Sequence, residues 1–401
     1  MMKKYLYFAA VLLAVTLMVS CSKDEDIPEQ EQGEDVVVND LPMGDAYIMD
    51  STYLTASKLK VYNFAYPSID PYGQPIMLSG SITMGDDVSR QAPARGMLLY
   101  NHFTIYRANQ CPSSGELSVQ AMAKGLGLIT VSADYYGFGV TENHHQAYCV
   151  SLYNARASID ALLAAKQLLS QMGYSWDDIL FNVGYSQGGQ TTMAVVRLVA
   201  EQYPDIDITY SFAGAGSYDL PATYHQFVDA TISGMPSTVI SVIMSYNEFK
   251  NLGFRRNEMF REPVSSHIDD WIFSKKYTRE EIDAMVGTYT ISEYVTETLL
   301  DTNTTQAKSL LAALDEDNLC HGWNPRGDEH IMIFHSSRDI TVPVVNAQNM
   351  YDFLISKGVQ DVDLQIHDIE ATETTPAHEN ASLMFGLLAL QKVKTILGIV
   401  Q

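Results

Sequence analysis

The sequence predicts an α/β fold: a mostly parallel central sheet with flanking helices, and a helical segment inserted before a late strand. Three observations carry that prediction. Short continuous apolar runs recur along the chain, as strands buried on both faces require. Helix-period stretches separate them, and strand–helix alternation builds a parallel sheet with right-handed crossovers. One long stretch between two runs breaks the rhythm and is mostly helical in pattern.

The elements follow in order. Lys58–Ala65 and Ile76–Met84 alternate polar and apolar residues, with the turn formers of Pro67–Pro75 between them, so an antiparallel hairpin is expected first. Apolar runs follow at Met97–Tyr100, Leu126–Ala133 and Ile179–Gly184. Helices are expected at Glu116–Lys124 and Leu152–Met172, the second with Ile159, Leu162, Leu163, Leu168 and Leu169 as its apolar positions. Ile206–Ala213, His330–Phe334 and Val362–Ile369 complete the strands. The insertion, at about 217–326, holds helical patterns at Val242–Leu252, Arg279–Val286, Ile291–Leu300 and Gln306–Leu314. Placed there, it reads as a cap over the carboxyl ends of the strands, where open α/β sheets bind ligands.

The chain has 401 residues, 46% hydrophobic and 18% charged, which suits one large domain with a packed core. It carries 48 acidic against 25 basic residues, a formal charge of −23. Such a field repels phosphate backbones and excludes nucleic acid as a partner. Four cysteines are too few for a disulfide-built scaffold.

Residues 1–20 read as an export signal: Lys3 and Lys4, an apolar run from Tyr5 to Val19, then small Ser20. The run is short for a membrane span, which needs about 20 apolar residues. Leu17-Met18-Val19-Ser20-Cys21 resembles a bacterial lipobox, which implies lipidation of Cys21. Ser22-Lys23-Asp24-Glu25-Asp26 resembles the acidic tag that sends some Gram-negative lipoproteins to the cell surface. Together they imply an outer-membrane lipid anchor. Residues 21–45, acidic and poor in periodic apolar positions, are expected to form a disordered tether, and the folded domain spans 46–401. Cys111, Cys149 and Cys320 remain, with three pairings open. No two stand at CxxC spacing and His144-His145 read as polar loop residues, so no metal is expected.

Gly184-Tyr185-Ser186-Gln187-Gly188 matches G-x-S-x-G directly after an apolar strand and directly before a helical stretch. A sharp turn there would strain Ser186 and expose its hydroxyl, while Gly184 and Gly188 avoid collision with the neighbouring strand and helix. The helix start offers the Gln187 N–H to an oxyanion. Serine needs a base, and the base an orienting carboxylate, in the order serine, acid, histidine. Asp339 stands in the loop leaving the His330–Phe334 strand, where that acid belongs. Two histidines lie beyond it. His367 falls within the final strand. His378 is read into the polar loop of Glu373–Ala377, just before the last amphipathic helix, and that loop position suits a base that must reach across the strand tops. Asp368 and Glu370 are rival acids, but they lie close to the base in sequence and on the wrong strand.

These residues resemble an α/β-hydrolase over roughly 46–401. Three further segments are similar to the secretory lipases of the lipase A type and their bacterial esterase relatives: a loop ending Gln110-Cys111-Pro112-Ser113-Ser114, the turn Asp134-Tyr135-Tyr136-Gly137-Phe138-Gly139, and Ser211–Gly216. The HGGG loop of many esterases is absent, since His102 is followed by Phe103-Thr104. The resemblance implies a first oxyanion donor in that loop, with Thr104 the expected residue, and Tyr136 as a pocket residue. It implies a cofactor-free serine hydrolase acting on a small-molecule or lipid ester. A serine exopeptidase of the same fold and an inactive surface-binding lipoprotein are the alternatives. The oligomeric state stays open.

Overall fold

The computed structural model describes residues 44–399, except 56, 115–124, 231 and 374. The export signal, Cys21, nearly all of the tether and the helix expected at Glu116–Lys124 lie outside the described residues. No described helix is long and apolar enough to cross a membrane.

The sheet comprises β1 (Tyr47–Leu54), β2 (Leu59–Ile69), β3 (Pro75–Gly85), β4 (Gly96–Asn101), β5 (Leu128–Ala133), β6 (Leu180–Tyr185), β7 (Tyr210–Gly214), β8 (His330–Ser336) and β9 (Asp361–His367). Their spatial order is β1-β2-β3-β5-β4-β6-β7-β8-β9. The pairs from β1 through β3 to β5 are antiparallel and all later pairs are parallel.

Period-two alternation divides the strand residues between two cores. Met97, Leu99, Ile331 and Ile333 face one side, with α1 (Ser151–Gln171), α2 (Gln187–Gln202) and a later helix at Val345–Ser356. Leu98, Tyr100, Phe212 and Phe334 face the other, against a helix at Ala377–Ile396. That last helix presents Ala381, Phe385, Ala389 and Val393, four residues apart, as one stripe.

Between β7 and β8 the chain runs through α3 (Leu220–Ala230), α4 (Pro236–Phe249), α5 (Arg279–Val286), α6 (Thr305–Glu316) and several shorter turns of helix. They share a buried cluster separate from both sheet faces, with Ile240, Ile243, Phe260, Ile282 and Leu314 among its members. Tyr106 of the loop after β4 enters this cluster and bonds Ser241 at 3.0 Å. The two helices after β8 are α7 (Val345–Ser356) and α8 (Ala377–Ile396).

Several expectations change. β1 was not expected: its side chains are exposed or half-buried, and the ladder to β2 holds it rather than an apolar face. The hairpin turn shrinks to Asp70–Gln74, because Pro67 and Ser68 stay in register with Met77 and Ile76. β5 starts at Leu128 because Gly125 and Gly127 take φ of +80° and +71° in the turn before it. Ile206 still belongs to a turn, donating to the Tyr203 carbonyl, so β7 starts at Tyr210. The expected helix Ile291–Leu300 is two short helices, because Val295 is extended and bridges Phe260. Leu163 faces solvent rather than the core. α3 and α7 are helices the sequence reading did not single out.

Candidate active site

β6 ends at Tyr185 and α2 begins at Gln187, so Ser186 alone makes the turn. Its φ of 59° and ψ of −122° lie in a region non-glycine residues avoid. Main-chain bonds hold it there: its N–H donates to the Gly214 carbonyl at 2.8 Å, and its carbonyl accepts from Gln190 N–H at 3.0 Å. The glycines are required by space. A Cβ on Gly184 would lie 2.1 Å from the Gly188 carbonyl oxygen, and one on Gly188 would lie 2.1 Å from that of Asn101. The helix start therefore packs directly on the end of β4. The first intrahelical donor is Gln190, which leaves the N–H groups of Gln187, Gly188 and Gly189 without intrahelical partners.

Asp339 lies in the loop after β8, buried. Its Oδ1 accepts from the N–H groups of Thr341 and Val342, each at 2.9 Å. Its Oδ2 faces His378 Nδ1 at 2.6 Å and His335 Nε2 at 3.5 Å. Burial alone would raise this carboxyl, but the charge of His378 and hydrogen bonds from His335 and His378 outweigh it. The carboxyl is held well below the usual carboxylate range.

His378 sits on a helix, not in the loop before one. α8 starts at Ala377, straight after extended Pro376, so His378 is its second residue. It is buried, and its Nε2 stands 2.8 Å from Ser186 Oγ. With Nδ1–H donating to Asp339, Nε2 is left to accept the serine proton. The structure thus brings Ser186, His378 and Asp339 into one hydrogen-bonded row. It excludes the rivals from that row: His367 Nε2 pairs with Gln365, Asp368 bonds Arg338 and Ser337, and Glu370 is exposed.

Two neighbours of this row escaped the sequence reading. The Tyr185 hydroxyl donates to the His378 carbonyl at 2.5 Å, and its ring lies 5.3 Å from the imidazole and 5.4 Å from the Phe385 ring. Gly214 makes room for it, because a Cβ there would stand 2.5 Å from Tyr185 Cδ2. Burial pushes the Tyr185 phenol well above its ordinary value, so it remains a donor. His335 braces Asp339 and donates to the Val342 carbonyl at 2.8 Å. Tyr185 stood in the variable position of G-x-S-x-G, and His335 within an apolar strand, so neither carried a signal in sequence.

Ser186 opens on a mainly apolar cavity of about 90 Å³. Leu220, Val239, Val242, Ile243 and Leu299 of the insertion form much of its wall, with Tyr148 and Cys149. Thr104 bonds the Tyr148 hydroxyl at 2.8 Å, and its loop begins at the Asn101 carbonyl that abuts Gly188. Tyr136 does not line this cavity. It is buried between Tyr153 and Phe249, with its hydroxyl 2.9 Å from His144 Nδ1. The neighbouring His145 stacks on Phe273 and pairs with Glu248. Cys111, Cys149 and Cys320 are all free, so none of the three pairings forms, and burial pushes the Cys111 and Cys149 thiols up to about 12.

The fold is shared with solved esterases and lipases. The rice cell wall degrading esterase LipA from Xanthomonas oryzae is 20% identical, with 88% of this chain and 97% of that one covered and a TM-score of 0.69. Candida antarctica lipase A in its closed state is 12% identical, with 81% and 76% covered and a TM-score of 0.61. Both likenesses establish an α/β-hydrolase architecture. No curated protein matched. The family described as secretory lipase matches residues 116–383, which is more than half of the chain and includes the elbow, the insertion, Asp339 and His378. The chain belongs to the secretory lipase family.

Proposed function

We propose that this chain hydrolyses short-chain carboxylic esters through an acyl-enzyme formed on Ser186. Ester hydrolysis follows from the family. The serine mechanism is supported by one observation above all: an unbroken row from Ser186 Oγ through the His378 imidazole to the buried Asp339 carboxylate.

His378 Nε2 takes the Ser186 proton as the oxygen attacks the acyl carbon. The carbonyl oxygen becomes an oxyanion and accepts the Gln187 N–H and a second donor from the Thr104 loop. His378 then gives its proton to the leaving alkoxide, and the alcohol departs. Water, deprotonated by the same nitrogen, attacks the acyl-enzyme; His378 returns the proton to Ser186 Oγ as the acyl–oxygen bond breaks, which frees the acid. Asp339 fixes the imidazole tautomer and stabilises the imidazolium. The N–H groups of Thr341 and Val342 and the Nδ1–H of His378 keep it ionised while the ring cycles.

The insertion at about 217–326 acts as a cap that closes the acyl site. The cavity is smaller than the roughly 150 Å³ that accommodates a benzene ring, which favours short acyl groups. Residues 1–20 direct export, in keeping with a secretory family, and Cys21 carries the lipid that holds the domain, through the acidic tether, at the outer membrane. Labelled palmitate entering the wild type but not Cys21→Ser tests the anchor.

Ser186→Ala is expected to abolish turnover of p-nitrophenyl butyrate and labelling by a fluorophosphonate while the melting temperature holds. Undiminished turnover would end this reading. Faster cleavage of an aminoacyl anilide than of any ester would move the chain to the exopeptidases.

A further inference from the structure

Arg279 opens α5 at the edge of the insertion. Its guanidinium lies among three carboxylates: Glu280 at 2.5 Å, Asp283 at 3.2 Å and Glu379 of α8. Glu379 directly follows His378. Asp283 is buried, and its Oδ1 accepts the Ser237 N–H at 2.8 Å in the first turn of α4. The same α4 supplies Val239, Val242 and Ile243 to the cavity wall. One guanidinium thus joins, through Asp283 and the Ser237 N–H, the helix that walls the acyl cavity to the helix that carries the imidazole. The link is sheltered: the Arg279 side chain is 16% exposed and that of Glu379 34%. It therefore escapes much of the screening that weakens surface pairs.

We propose that Arg279 is a specificity-determining residue, whose pairing with Glu379 holds α5, and through Asp283 the α4 wall, to α8 and so limits the size of the acyl group. The inference rests on the ester-hydrolase reading above. Asp283 ties Arg279 to α4, so withdrawing that wall from α8 draws Arg279 away from Glu379. A chain too long for a cavity of about 90 Å³ enters only at that cost. A short ester enters without it.

The test compares kcat/KM for p-nitrophenyl decanoate and butyrate in the full-length wild type, Arg279→Lys, Arg279→Met and Glu379→Gln. Arg279→Met and Glu379→Gln are expected to raise the decanoate-to-butyrate ratio about tenfold, within the usual range for coupled sites. Most of the change should appear in KM for decanoate. Arg279→Lys keeps the charge and should stay near the wild-type ratio. Glu379→Gln decides the matter if Arg279→Met, which strips the buried Asp283 of its partner, fails to fold. An unchanged ratio in folded variants, or an equal loss on both esters, overturns the proposal while leaving the hydrolase reading intact. A wild type silent on both esters defeats the hydrolase reading and this inference with it.

Discussion

The Tyr185 hydroxyl donates to the main-chain carbonyl of His378 at 2.5 Å, so the residue before the proposed nucleophile grips the residue proposed as its base. The contact fixes the height of the imidazole over the elbow through the backbone rather than the ring. Tyr185→Phe keeps the packing on Phe385 and removes a single donor. Its kcat on p-nitrophenyl butyrate is expected to fall roughly threefold to tenfold, the worth of one hydrogen bond. KM should hold. Equal kcat in the two proteins would show that the contact does not position the base.

Gly188 has no room for a methyl group, and the obstacle is backbone: the Asn101 carbonyl at 2.1 Å and the His102 carbonyl at 2.9 Å from the added Cβ. Gly188→Ala must push α2 away from β4 and tilt the Gln187 N–H. An expected loss on the order of a hundredfold in kcat follows from a displacement of about 1 Å at a reacting centre. Stopped-flow release of p-nitrophenol measures it, and a variant within twofold of the wild type contradicts it.

Asp339→Asn preserves shape and removes the charge proposed to set the imidazole tautomer. A fall in kcat on the order of ten-thousandfold is expected. Stability has a sign that can be checked. The folded carboxyl titrates below its unfolded value of about 3.9, so its stabilisation is full above that value and is lost as the pH falls through the folded one. The gap in melting temperature between wild type and Asp339→Asn should therefore narrow from about pH 5 to about pH 2.5. A gap that widens over that interval refutes the assignment.

Val242 projects from α4 into the cavity wall. Val242→Phe fills part of the space proposed for the acyl group. Acetate should still be cleaved, whereas octanoate should lose roughly tenfold or more in kcat/KM, the scale set by a few methylenes in an apolar pocket. A parallel loss on both esters would place the acyl chain elsewhere.

The parts of the site written contiguously were legible in the sequence. Gly184–Gly188 stands between an apolar run and a helix, and each residue type there answers a local steric demand. Asp339 was legible because a loop after a strand near the cap has few carboxylates to choose from. His378 was read into a loop: Thr374-Thr375-Pro376 reads as loop, yet proline next to a helix start is compatible with α8 beginning at once. β1 left no trace because its partner is a ladder rather than a core. Tyr185 with His378 and Arg279 with Glu379 meet across 193 and 100 positions, and no spacing rule spans such distances. Tyr136 was expected in the pocket from the family resemblance, whereas Tyr148 lines it and Tyr136 packs against Tyr153.

Ser186 and Asp339 are fastened to strand ends, and those strands are laced to neighbours on both sides by main-chain hydrogen bonds. His378 rides on a helix seated by Phe385, Ala389 and Val393. The three are therefore not equally secure. As urea rises, the helix that carries His378 should lift before β6 or β8 unzips. Catalysis would then fade while the far-ultraviolet signal of the sheet persists, and simple dilution would restore it without a slow refolding phase.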